Sequence, residues 1–228
     1  MEQLSIEHLV ALGFTAAIAG GAVVAARLRP GGWEALFARA LATVLALNLV
    51  AYHVLRIAQG SWSAEIDLPL HLTDAAAIVA VLALWAPRPL SFELTYYWGL
   101  TAALLAILTP DLSQAFPSFF FFAYFVSHSG VVVAAAFLAF GVGLVARAGA
   151  VWRVWLATAA VAAIAALANL ATDGNYMFLA ERPGDPTPLD LMGPWPWYIA
   201  TAAVVAVALF ALLDLPFRGR DRSFVAPP

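Results

Sequence analysis

Seven long apolar stretches alternate with short charged turns along this chain, and nine of its eleven arginines fall on one side of that alternation. Each stretch reaches the roughly 17 to 25 residues that cross about 30 Å of hydrocarbon at 1.5 Å per residue. Backbone amides in lipid must be paired within their own segment, so the stretches are expected to be helices. The predicted spans are residues 8–29, 34–57, 69–86, 90–108, 118–144, 151–171 and 194–214. The fold class that follows is all-α: one polytopic bundle of seven transmembrane helices over residues 1–228, with no linker to divide it.

Arg27, Arg29, Arg39, Arg88, Arg147, Arg153, Arg218, Arg220 and Arg222 lie at one set of connections, and only Arg56 and Arg182 at the other. The positive-inside rule then puts the N-terminus outside and the C-terminus in the cytoplasm. Acidic residues gather on the opposite, outer side: Glu65, Asp67, Asp111, Asp173, Glu181, Asp185 and Asp190. Glu2 and Glu7 precede the first stretch, the reverse of a signal peptide's positive start, so it reads as a retained span. Trp62, Trp98, Trp195, Trp197 and Tyr198 sit near predicted span ends and read as interfacial anchors. The last six residues read as a disordered tail.

With 64% hydrophobic and 11% charged residues, lipid is the expected solvent. Acids and arginines segregate to opposite faces and form no basic patch, so nucleic acid is not an expected partner. The chain has no cysteine, which removes disulfides, thiolate metal sites and a cysteine nucleophile together. It also has no lysine, so a retinal Schiff base is excluded and the helix count does not make it a rhodopsin.

An ionisable side chain inside an apolar span carries a solvation cost and marks a working site by default. His53, His71, Asp74 and His128 are such residues, and all four converge on the predicted outer half. His71 and Asp74 are spaced i, i+3 on one face, with Asp67 extending the stripe, and Tyr124 shares a face with His128. Asn48, Asn169 and Asn175 line outer span ends, while Glu93, Tyr96 and Tyr97 fall in the inner half. Glu93 follows Ser91 in the first turn of its helix, where a cap and a favourable dipole account for it.

Two chemistries fit this inventory. In one, Thr73 is a hydroxyl nucleophile and His128 its general base, with His71, Asp74 or nearby amides orienting the base or binding an oxyanion. A regular helix turns Thr73 about 100° away from Asp74, so a shared site needs an irregular start, which Pro69 provides. In the other, His53, His71, His128 and Asp74 hold a zinc ion, for which the sequence carries no short metal motif. No metal or other cofactor is required by the first. A carrier or ligand-binding bundle would use the same polar residues without catalysis, with His53, Asn48, Tyr124, Asn169, Asn175 and Tyr97 as candidate substrate contacts.

Leu68 to Ala77 reads LPLHLTDAAA, Glu93 to Leu100 reads ELTYYWGL, His128 heads HSG, Asn175 to Leu179 reads NYMFL and Gly193 to Tyr198 reads GPWPWY. In this order the motifs resemble the YwaF-like family of bacterial integral membrane proteins, which would place the chain in a bacterial plasma membrane. The resemblance extends to the animal transmembrane protein 164, an acyltransferase acting on ether phospholipids. More distantly it reaches the androgen-induced hydrolases, which cleave fatty-acid esters with a threonine and a histidine. It implies a nucleophile at position 73, a histidine at 128 and a membrane lipid or other acyl ester as partner. Family members often carry cysteine where Thr73 stands, which aligns this chain with the threonine hydrolases.

Overall fold

A computed structural model of the chain describes residues 3–112, 114–184 and 186–224. Glu2 ahead of the first stretch and Asp185 of the outer acidic set fall outside them, as do the last four residues of the expected tail.

All seven expected helices are present. They are α1 (Ile6–Leu28), α2 (Trp33–Ala58), α3 (Leu72–Trp85), α4 (Pro89–Leu108), α5 (Phe119–Val142), α6 (Ala150–Thr172) and α7 (Trp197–Leu213). Their starts follow local chemistry. Ser5 accepts the His8 amide at the head of α1 and Ser118 the Phe121 amide at the head of α5, while proline, which has no amide to leave unpaired, opens α4. Gly143 and Gly149, both at positive φ, turn the chain between α5 and α6.

Six helices are long and apolar enough to cross a membrane. The exception is α3, whose 14 residues span only about 21 Å. The expected span at 69–86 is thus three residues too long at its start. Pro69 disfavours helix for the residue before it, and His71 is an extended N-cap with φ −69° and ψ 149°. His71 and Asp74 consequently do not stand on one helical face. Instead the Asp74 carboxylate reaches back to accept the His71 amide at 3.0 Å, and Asp67 lies in the connection, off the helix.

The hydrophobic windows of α5 and α4 are 61% and 56% buried, against 17% for α1, α2, α6 and α7. The first two are therefore the centre, and the other four turn residues such as Phe14, Leu47, Leu167 and Val204 outward to lipid. α5 touches α1, α2, α3 and α4. Its approach to α4 is close enough that a Cβ on Gly99 would fall 2.8 Å from Ala135 Cβ. From Gly99 to Ala103 the α4 backbone widens into a π turn, a distortion that recurs at functional sites.

One end of the bundle carries the α2–α3, α4–α5 and α6–α7 connections and holds the cavity; it is the site end. The far end is closed by ion pairs. Glu93, expected to be explained as a helix-start residue, is instead fully buried and bound by both Arg147 and Arg153 at 2.9 Å. Asp214 accepts Tyr97 Oη at 2.8 Å and pairs with Arg222 at 2.5 Å. Arg222 also bonds the Ala146 carbonyl, and Phe224 packs against Phe92, so the start of the expected tail is docked.

Two of the expected anchors are interior residues. Trp98 is 2% exposed and donates to Thr158 Oγ1 at 2.8 Å, and Tyr198 is equally buried, its hydroxyl on the Phe178 carbonyl. Trp62, Trp195 and Trp197 are exposed, as anchors should be.

Candidate active site

A cavity of about 770 Å³ occupies the site end. Helix α2 contributes Asn48 and His53, the start of α3 contributes His71, Thr73 and Asp74, and α5 contributes Tyr124 and His128. Seven of the ten residues singled out from sequence therefore face one space. Thr73 and Asp74 both line the cavity from the first turn of α3, although both lie within the regular helix. Much of the wall is apolar, including Leu49, Leu72, Leu105, Phe120 and Leu189. Part of it comes from the α6–α7 connection, which also brings in Met177 and Phe178.

Backbone partners decide which ring nitrogen of His71 and of His128 carries its proton. His128 Nδ1 lies 2.7 Å from the Tyr124 carbonyl oxygen, one helical turn back. A carbonyl only accepts, so Nδ1 donates and Nε2 of the neutral ring keeps its lone pair. The ring also stacks on Tyr124 at 4.1 Å, and the Tyr124 hydroxyl is tied to the Ala106 carbonyl just beyond the π turn at 2.7 Å. His71 is the converse, its Nδ1 accepting the Met177 amide at 3.2 Å.

No hydrogen bond of the Thr73 hydroxyl is found among the described residues. Asp74, expected to orient a histidine ring, grips the His71 backbone instead. His53 accepts the Trp62 indole N–H at 3.4 Å, and Asn48 donates to the Ala123 carbonyl.

The other three candidates lie elsewhere. Tyr97 is at the far end on Asp214. Asn169 is buried and holds both backbone groups of Tyr176, and Asn175 ties the amides of Ala180 and Glu181 beside a smaller pocket.

At the cavity rim, Arg56 binds Asp67 through two hydrogen bonds at 2.9 and 3.0 Å, with Tyr52 and the Ser63 amide on the same carboxylate. Burial alone would raise the Asp67 pKa, but these four donors hold it below the usual carboxylate range. This cluster was not singled out from sequence, although Arg56 as one of only two arginines on its side was a usable signal. His8 was also passed over. Buried in α1, it spends both nitrogens on backbone, Nε2 on the Ile107 carbonyl and Nδ1 on the Leu4 amide.

Among the described residues, no three His, Cys, Asp or Glu side chains come together in a way that could hold a metal ion. The zinc chemistry considered from sequence thus finds no ligand set among the described residues.

Long apolar helices around a cavity with polar groups in a largely apolar wall define a polytopic α-helical membrane protein. A family model matches residues 3–214, and the chain belongs to the TMEM164 family. Comparison with curated proteins and with solved structures finds no match.

Proposed function

We propose that the protein is an intramembrane lipid acyl hydrolase or acyltransferase, with Thr73 as nucleophile and His128 as general base. The observation that carries this reading is the meeting, in one cavity, of a hydroxyl without a hydrogen-bond partner among the described residues and an imidazole with an unspent Nε2 lone pair. A threonine hydroxyl is a weak nucleophile until a base takes its proton. His128 Nε2 accepts that proton as Thr73 Oγ attacks the acyl carbonyl. The ester C–O bond then breaks, and the departing alcohol takes the proton from His128. Water resolves the acyl-threonine in a hydrolase, and a second lipid hydroxyl does so in a transferase.

The oxyanion formed on attack is assigned to the N-terminal end of α3, where the helix dipole favours negative charge. A cavity of about 770 Å³ falls within the roughly 300 to 1,000 Å³ of small-molecule sites, and its leucine and phenylalanine walls suit an acyl chain. The arginine bias supports a site end in the outer leaflet, and the resemblance to bacterial integral membrane proteins supports a bacterial plasma membrane, where an acyl ester would enter sideways. The resemblance of the motifs to the YwaF-like family, which is in turn distantly similar to threonine-and-histidine hydrolases, supports the same reading. A carrier needs a path through the far end, which the Glu93 and Asp214 ion pairs occupy.

A fluorophosphonate probe of the kind that labels serine hydrolases tests this. Purified wild-type protein and Thr73→Ser are expected to label, whereas Thr73→Ala and His128→Ala are expected to lose labelling. Labelling retained in both alanine variants overturns the proposal.

A further inference from the structure

We infer that Asn169 and Tyr176 are positioning residues that lock His71 as an Nε2–H donor at the cavity wall, so that of His71 and His128 one is a donor and the other a base. The inference rests on reading the cavity as an acyl-transfer site, and adds to it a residue role and a device that sets it.

The chain of contacts begins at the end of α6. Asn169 Oδ1 accepts the Tyr176 amide at 2.7 Å and its Nδ2 donates to the Tyr176 carbonyl at 3.1 Å, so the backbone of Tyr176 is held on both sides. The Tyr176 side chain is fully buried. Its hydroxyl donates to the Ala64 carbonyl at 2.7 Å and accepts the Leu68 amide at 2.9 Å, which ties the α6–α7 connection to the segment leading into α3.

Those four bonds fix both sides of the next contact, where Met177 N–H meets His71 Nδ1 at 3.2 Å. To aim that amide, Met177 and Phe178 sit at φ 57° and 54°, a left-handed conformation that side-chain-bearing residues adopt at a cost. The His71 ring packs edge-on to Tyr176 at 5.4 Å and lies tilted against Phe178 at 5.6 Å.

The consequence is a matter of proton counting. An amide N–H can only donate, so the Nδ1 it meets is unprotonated and the proton of neutral His71 is on Nε2. His71 cannot then present a basic Nε2; it presents a hydrogen-bond donor, suited to a developing oxyanion. The same counting applies to all four histidines. His8 and His53 accept N–H donors at Nδ1 and are Nε2–H rings like His71. His128 alone, with its Nδ1 on a carbonyl, has a free Nε2 lone pair. Three Nε2–H rings and one Nδ1–H ring is the pattern these partners impose.

Nitrogen-15 NMR of histidine-labelled full-length protein in detergent, at a pH where the rings are neutral, reads these tautomers directly. His71 is identified by the signal missing in His71→Gln. Wild type is expected to show three Nε2–H rings and one Nδ1–H ring. Tyr176→Phe keeps the ring but loses both hydroxyl bonds, and Asn169→Ala releases the backbone. Each is expected to introduce an Nδ1–H signal at His71 and slow fluorophosphonate labelling of Thr73 by about tenfold or more. His71→Asn, which restores an N–H donor, should label faster than His71→Ala.

Three results overturn the inference: an Nδ1–H His71 in wild type, slowed labelling with the tautomer unchanged, or a mixed tautomer with labelling unaffected. Labelling that survives Thr73→Ala and His128→Ala is a separate failure. It removes the acyl reading, while the tautomer split and its response to Tyr176→Phe are still decided by the spectra.

Discussion

Replacing Glu93 by Gln should be among the most damaging isosteric changes in the chain. The carboxylate has no exposure and accepts five hydrogen bonds: the Arg147 amide, Arg147 Nε and Nη2, and Arg153 Nε and Nη2. It thus joins α4 to the α5–α6 turn and to the first turn of α6. Gln keeps one acceptor but turns an NH₂ toward guanidinium donors, leaving two cations facing a neutral group. Removing one partner of a fully buried pair costs about 3 to 5 kcal/mol. Here the Arg147 and Arg153 side chains retain 37% and 36% exposure, so water recovers part of that loss and about 2 to 3 kcal/mol is expected.

Arg153→Ala leaves Arg147 on the carboxylate and should cost less, about 1 to 2 kcal/mol. The assay is SDS-driven unfolding in mixed micelles, followed by fluorescence of the eight tryptophans, with both single variants and the double. Because the two side chains share one network, the double variant should cost less than the sum of the singles. A Glu93→Gln change within about 0.5 kcal/mol of wild type, or one milder than Arg153→Ala, would refute the account of the far end.

The Asp67 pKa is depressed in the folded protein, so its contribution to stability is present above the ordinary carboxylate range and is lost as pH falls through the folded value. Melting temperature in detergent should fall on acidification over that window, and Asp67→Asn should flatten the dependence; an unchanged slope would contradict the pairing with Arg56. Gly99→Ala puts a methyl 2.8 Å from Ala135 Cβ and 3.1 Å from the Val131 carbonyl, where overpacking costs about 1 to 3 kcal/mol. The same unfolding assay measures it, and a neutral outcome would show that α4 and α5 can separate freely.

Helix number and approximate span ends were legible because lipid leaves a long apolar run with one way to pair its backbone. The exception, α3, was misread for a physical reason. Hydropathy counts residues without regard to conformation, and Leu68, Pro69 and Leu70 are apolar but not helical. Glu93 was misread because its partners are 54 and 60 positions away. Nothing near Glu93 in sequence distinguishes a carboxylate held by two arginines from one completing a helix start. Trp98 and Tyr198 likewise look like interfacial rings until the α6 hydroxyl and the α6–α7 carbonyl that bind them are known.

The candidate site was legible in part, and the division has one cause. The cost of placing a polar group in an apolar span is paid equally by a residue that works and by one that braces, so the cost locates both without separating them. Asn48, His53, His71, Thr73, Asp74, Tyr124 and His128 do share a cavity. Asn169 met the same criterion, yet its amide is spent entirely on Tyr176. What separates the groups is the state of each polar atom after the backbone has taken its share. His8 has both nitrogens spent, His71 and His53 each keep a donor, and His128 alone keeps a lone pair. That difference rests on whether an amide or a carbonyl faces Nδ1, which residue identity does not encode. It is set by where α3 begins, by the left-handed turn at Met177 and by the register of α5, and so it belongs to the fold.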